Sequence, residues 1–179
     1  PAPPIWDNLQ NLIVRKQNHV LIEKIRNSSQ PVIIHAAGGL GKSIFCRQLV
    51  NSLSEGSLGI VYDCFGAGSY RSRSGFRHRH KDALVQIVNE LAIKGLCDPY
   101  LLQSYDLEDQ IMRRFLLSLN MAIKSLKTIN GNAKLYILID AADNAEMAAN
   151  EFNDNCFANE LLREQFPEDC KIALLCRTE

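Results

Sequence analysis

Several features that would settle a protein's class are scarce in this chain, and each shortage excludes something. Its six cysteines, at 46, 64, 97, 156, 170 and 176, include no CxxC pair. Cysteine and histidine do not recur at zinc-finger spacing either, so no structural zinc is expected, and the thiols read as buried and free in a reducing cytosol. Net charge is lacking too: twenty basic side chains balance twenty acidic ones, and only local clustering can then favour a polyanionic partner. No apolar run approaches the ~20 residues that span a bilayer. The opening PAPPIWDN has neither the basic region nor the apolar stretch of a signal peptide. A cytoplasmic protein without a membrane role is expected. Without an initiator methionine, the chain reads as a processed product or an excised piece of something longer. What remains is ordinary globular composition, 46% hydrophobic and 22% charged over 179 residues, enough to bury one core.

Apolar patterning supplies the architecture. PVIIHA (31–36), SLGIVYDCF (57–65), KLYILID (134–140) and KIALLC (171–176) are short runs without polar alternation, the pattern of strands buried on both faces. Between them lie helical patterns: KSIFCRQLVNSL, with Phe45, Leu49 and Leu53 on one face; Lys81–Lys94, with Leu84, Ile87, Val88 and Leu91 at helical spacing; Leu107–Lys127; and Phe157–Gln165, ended by Pro167. Gly95 is placed to end the second helix, and Asp106 to cap the third. Residues 1–30 form a lead-in, with two short helices expected between Trp6 and Arg26. Residues 31–179 form the main body. Strands alternating with helices predict an α/β fold, a mainly parallel sheet in a three-layer α/β/α sandwich.

One loop carries the chemistry. HAAGGLGKS joins a strand to a helix and fits G-x-x-x-x-G-K-[ST], with Gly41, Lys42 and Ser43 in the last three places and Ala36 where the first glycine belongs. Gly38 and Gly39 are expected to supply the bends that turn successive N–H groups inward. Backbone donors of Ala37, Gly38, Gly39, Leu40, Gly41, Lys42, Ser43 and Ile44 then meet phosphate oxygens at the positive end of a helix. Lys42 brings a charge to the terminal phosphates, and Ser43 offers its hydroxyl to Mg2+. A magnesium nucleotide also needs a carboxylate at a neighbouring strand tip, and Asp140 ends the run LYILID. It is the candidate holder of Mg2+ through water. Ala141 and Ala142 follow where many such ATPases place a glutamate. The next acid is Asp143, which serves as a base only if its loop folds back toward the γ-phosphate; Glu146 is a weaker candidate. No NKxD motif occurs, which favours ATP over GTP.

These residues carry a resemblance. AAGGLGKS resembles the phosphate loop of STAND-class NTPases, LIDAADN their acidic strand, and KIALLCRT their sensor strand, which ends in an arginine near the γ-phosphate, here Arg177. IVRKQNHVLIEKI is similar to the segment that packs beside the base, with Arg15 matching. DCFGAGSYR, FRHRHKDALVQIVNEL and IDAADNAEMAA resemble most the NTPase module of bacterial antiviral STAND proteins. The resemblance implies a P-loop NTPase core stopping after the sensor strand, with ATP and Mg2+ as cofactors and slow, Mg-dependent hydrolysis. It also implies self-association in a longer parent, and a phage protein sensed by a domain outside this chain.

Two other readings stay open. YRSRSGFRHRHK (70–81) holds four arginines, two histidines and a lysine, which suits either nucleic-acid contact or a solvated loop paired with acids elsewhere. Residues 69–78 read as exposed and mobile, since SYRSRSG has little apolar content. Zinc at His78 and His80 lacks a third ligand nearby in sequence. His35 reads as a packed core histidine. A nucleoside or small-molecule kinase is the other alternative, although NAEMAANEFNDNC, acidic and asparagine-rich, lacks the arginines of a kinase lid.

Overall fold

The computed structural model describes residues 15–73 and 75–178. Four strands form one sheet: β1 (Val32–Ala36), β2 (Leu58–Asp63), β3 (Leu135–Asp140) and β4 (Cys170–Arg177). All pairings are parallel, in the order β1-β4-β3-β2. Parallel neighbours need crossover connections, and among the described residues these hold five helices, α2 (Lys42–Asn51), α3 (His80–Ile93), α4 (Glu108–Ile129), α5 (Ala142–Phe152) and α6 (Phe157–Leu161), while α1 (Lys16–Asn27) precedes β1. The fold is the expected α/β sandwich.

Alternation along the strands divides the core between the two faces. Tyr136 and Leu138 of β3, Val61 of β2 and Leu175 of β4 pack with Ile25 of α1 and Phe45 and Leu49 of α2. Ile137 and Ile139, Ile60 and Tyr62, and Ile172 and Leu174 point the other way, into a larger cluster with α3, α4, α5 and α6. No helix among the described residues is long and apolar enough to cross a membrane.

Several expectations need correction. Of the two helices expected before Arg26, the first falls in residues outside the described range; the second is α1. Strand β1 is not buried on both faces: it lies at the sheet edge, Ile33 and His35 are exposed, and His35 is therefore not a core histidine. Asp106 does not cap α4. Its Oδ2 instead accepts from the Gln103 N–H and the Tyr100 hydroxyl, and the Gln110 side chain accepts from the N–H of Leu107, just before the helix. The helix at Phe157 is a single short turn ending at Leu161. Residues 142–152, which take in the loop expected at Asp143 and most of the stretch NAEMAANEFNDNC, are helix α5, whose Ala142, Ala145, Ala148 and Ala149 are buried. Gly95 does end α3, at φ +72, with the N–H groups of Gly95 and Leu96 bonding back to Ala92 and Leu91. All six cysteines are free, four of them buried, and burial pushes the Cys170 thiol up to about 12.

Candidate functional site

In parallel sheets, ligands bind at the carboxyl ends of the strands, and here all four ends converge. Strand pairing sets Ala36 beside Arg177 and Asp63 beside Asp140. Between these tips lies a cleft of about 560 Å³, lined by Gly38, Gly39, Gly41, Lys42, Ser43 and Ile44 of the loop, with Asp63, Phe65, Ala67, Asp140, Ala141, Asn144 and Arg177 opposite.

The loop after β1 is shaped by two left-handed residues, Gly39 (φ +73) and Gly41 (φ +84). Gly38 shares the turn with Gly39, closed by the Leu40 N–H on the Ala37 carbonyl, without a left-handed conformation of its own. Ala36, at the place of the motif's first glycine, is the last residue of β1. Lys42 folds back over the loop, its Nζ donating to the Ala36 and Ala37 carbonyls at 2.8 and 3.2 Å. Across the cleft, the Ser43 hydroxyl bonds the carboxylate of Asp140, which is only 6% exposed. Burial raises the Asp140 carboxyl above the usual carboxylate range. The Ser43 hydrogen bond opposes that rise, the nearby Asp63 adds to it, and Lys42 weighs against it.

The acids after β3 are arranged unlike the sequence reading. Ala141 takes a left-handed conformation (φ +55) and starts α5 directly, so Asp143 and Asn144 lie in its first turn. Asn144 lines the cleft; Asp143 does not. Its carboxylate accepts from the backbone N–H and the Nε of Arg177, both at 3.1 Å, and it faces a neighbouring groove shared with Ile33, His35 and Glu146. Arg177 also donates to Asn144 Oδ1 at 3.0 Å. The expected base and the expected sensor arginine are thus paired with each other. Arg15, the expected base-stacking residue, is exposed just before α1 and does not line the cleft. Leu40 is exposed on the loop, and neither it nor Ala37 lines the cleft.

Two polar cleft residues escaped the sequence reading, Asp63 and Asn144. Asp63 left a signal, since GIVYD ends an apolar run in an acid just as LYILID does. Asn144 left none beyond its place four residues after Asp140.

The basic stretch is mostly tied down. Arg71 pairs with Glu151 at 3.0 Å, Arg79 pairs with Asp154 at 2.8 Å and lies 3.6 Å from the Phe76 ring centre, and Arg77 donates to the Asp63 carbonyl at 2.9 Å. His78 and His80 are fully buried, the first bonded to Asp154 and the second to Glu160. Glu108 adds a third group 3.5 Å from the His80 ring, so the fold supplies the neighbours that sequence spacing lacked. Tyr70 and Arg71 close a 3-10 turn that begins at Gly66, and the Arg73 guanidinium lies 6.0 Å from the Phe152 ring centre.

The family model for the N-terminal region of nephrocystin 3 matches residues 13–177. The chain belongs to this family. The match runs from just before α1 to the end of β4 and so covers the loop, both aspartates and Arg177 together. No curated protein matches the chain.

The residues present fit a magnesium nucleotide. The Asn144 amide Nδ2 is buried without an acceptor beside the cleft, Lys42 holds only backbone carbonyls, and Ser43 with Asp140 forms a hydroxyl–carboxylate pair suited to a hydrated hard cation.

Proposed function

We propose that this domain binds ATP with Mg2+ in the cleft at the strand ends and acts as a slow, nucleotide-operated switch of the STAND class. The observation that carries the reading is the hydrogen bond between the exposed Ser43 hydroxyl and the buried Asp140 carboxylate, facing a glycine loop and Lys42. Such an arrangement meets phosphate oxygens with backbone donors and a lysine, and offers Mg2+ one hydroxyl and one carboxylate. ATP with Mg2+ supplies a phosphoryl group for hydrolysis; the chain binds and orients it. In the longer parent, the ATP-bound form self-associates after another domain senses a phage protein, which makes the role antiviral. That part of the proposal rests on the resemblance of DCFGAGSYR and IDAADNAEMAA. The nucleic-acid alternative gains nothing from the fold, since Arg71, Arg77 and Arg79 of residues 70–81 have partners within the domain. No cleft residue favours a kinase acceptor.

The test is ligand-dependent stability. At a hundredfold excess over Kd, Mg-ATP is expected to stabilise the fold by about 2.7 kcal/mol, roughly 5–10 °C in melting temperature for a chain this long. Lys42→Ala should remove most of that shift. Equal shifts in wild type and variant would overturn the reading.

A further inference from the structure

Hydrolysis in this cleft is helped by a group that orients the attacking water and takes its proton, and the expected positions do not provide one. Ala141 has no acid, and Asp143 is held by Arg177 outside the cleft. Among the described residues lining the cleft, the acids are Asp63 and Asp140. Asp140 is buried against Ser43 and suits the metal station.

Asp63 has the properties of the missing group. It is the last residue of β2, in register with Asp140, and unlike Asp140 it keeps part of its surface open to water. Its carboxylate is fixed rather than free: Oδ1 accepts from the Phe65 N–H at 2.8 Å and Oδ2 from the Gly66 N–H at 3.0 Å. Each oxygen keeps a further lone pair for water. The surrounding loop is fixed as well. Arg77 bonds the Asp63 carbonyl and lies so close to Gly66 that a Cβ there would sit 2.0 Å from its Nε. A carboxylate pinned by backbone donors on a strand tip, next to the metal station, is preorganised for one water.

We infer that Asp63 is the general base of this site, a role that rests on the nucleotide reading above. In the step, the water oxygen bonds to the γ-phosphorus as the bond from that phosphorus to the bridging oxygen breaks. The bond's electron pair leaves with the nucleoside diphosphate, and the water proton passes to the Asp63 carboxylate, which returns it to solvent.

The experiment pairs Mg-ATP titration with single-turnover phosphate release on wild type, Asp63→Asn, Asp140→Asn and Asp143→Asn. Asp63→Asn is expected to hold Mg-ATP within about threefold of wild type and to lose roughly 10²-fold or more in release rate, the usual scale for a general base. Asp140→Asn should lose the magnesium dependence of binding itself. Should Asp63→Asn melt below the assay temperature, Asp63→Ser decides, because its hydroxyl keeps an acceptor for the loop N–H groups without a carboxylate. Release within threefold of wild type, or a loss of binding as large as that of Asp140→Asn, overturns the assignment. So does a wild type that binds Mg-ATP but releases no phosphate, and that result leaves the binding reading standing. A wild type that does not bind Mg-ATP overturns both.

Discussion

Burial raises the Asp140 carboxyl, and the sign of the consequence for stability can be worked out. The folded state holds this proton more tightly than the unfolded chain does. Below the ordinary carboxylate pKa, about 3.9, both states are protonated and the group costs nothing. As pH rises through the window up to the raised value, the unfolded chain ionises first, and stability is lost. Asp140→Asn removes the titration. Without nucleotide, the variant should therefore gain on wild type as pH rises above about 4, read as the difference in urea midpoints. Gly66 makes a steric case. At φ +54, and with Arg77 where a Cβ would go, Gly66→Ala combines a left-handed penalty with displacement of the Arg77 bond. About 2–3 kcal/mol is expected. Gly68→Ala is the control: its φ is +91 but nothing lies within 4 Å, so only the backbone penalty remains. Thermal melts of the two variants should differ by several degrees.

Elements whose apolar residues are large were legible in the sequence, and those built from small or locally tied residues were not. LYILID and KIALLC gave β3 and β4 within a residue, because branched and aromatic side chains mark a buried strand. Helix α5 was hidden because its buried stripe is alanine, which carries little hydrophobic signal, and because it starts from a left-handed Ala141 with no capping side chain. That omission also misplaced Asp143, which a helix turns toward Arg177 and a loop need not. The edge position of β1 depends on strand order, which local pattern does not encode. The burial of His78, expected to be exposed, is not legible locally because its partners are distant in sequence. Asp154, just beyond α5, accepts from both His78 and Arg79, and those hydrogen bonds hold its carboxyl below the usual range. Asp154→Ala strips a fully buried histidine of its partner and should cost roughly 1–3 kcal/mol. The wild-type contribution is full above the ordinary carboxylate range and fades as pH falls through the depressed value. Asp154→Asn should therefore remain insensitive there. Hydrogen exchange supplies a second readout, since the amides of residues 76–80 should be protected in wild type and released in the alanine variant.

At the scale of the whole molecule, the cleft touches the tips of all four strands, directly or through the loop at the end of β1, and both core clusters are built on those same strands. A ligand bound there holds β1 with its loop and α2 on one face to β2, β3 and the start of α5 on the other. Its binding energy should then appear in the global unfolding equilibrium rather than in the loop alone. Buried sheet amides such as those of Ile137, Leu138 and Leu175 exchange only when the whole domain opens. At a hundredfold excess of Mg-ATP over Kd, that opening becomes about a hundredfold rarer. Exchange at these three positions should slow by the same factor, whichever face their side chains point to. Amides near the exposed end of α1, which open locally, should be unchanged. Lys42→Ala should abolish the slowing throughout. If Mg-ATP protects only residues 37–44 and leaves the sheet amides at their original rates, the nucleotide grips the loop without engaging the opposite strand tips, and the domain then lacks the mechanical link through which a bound phosphate could set the state of the whole fold.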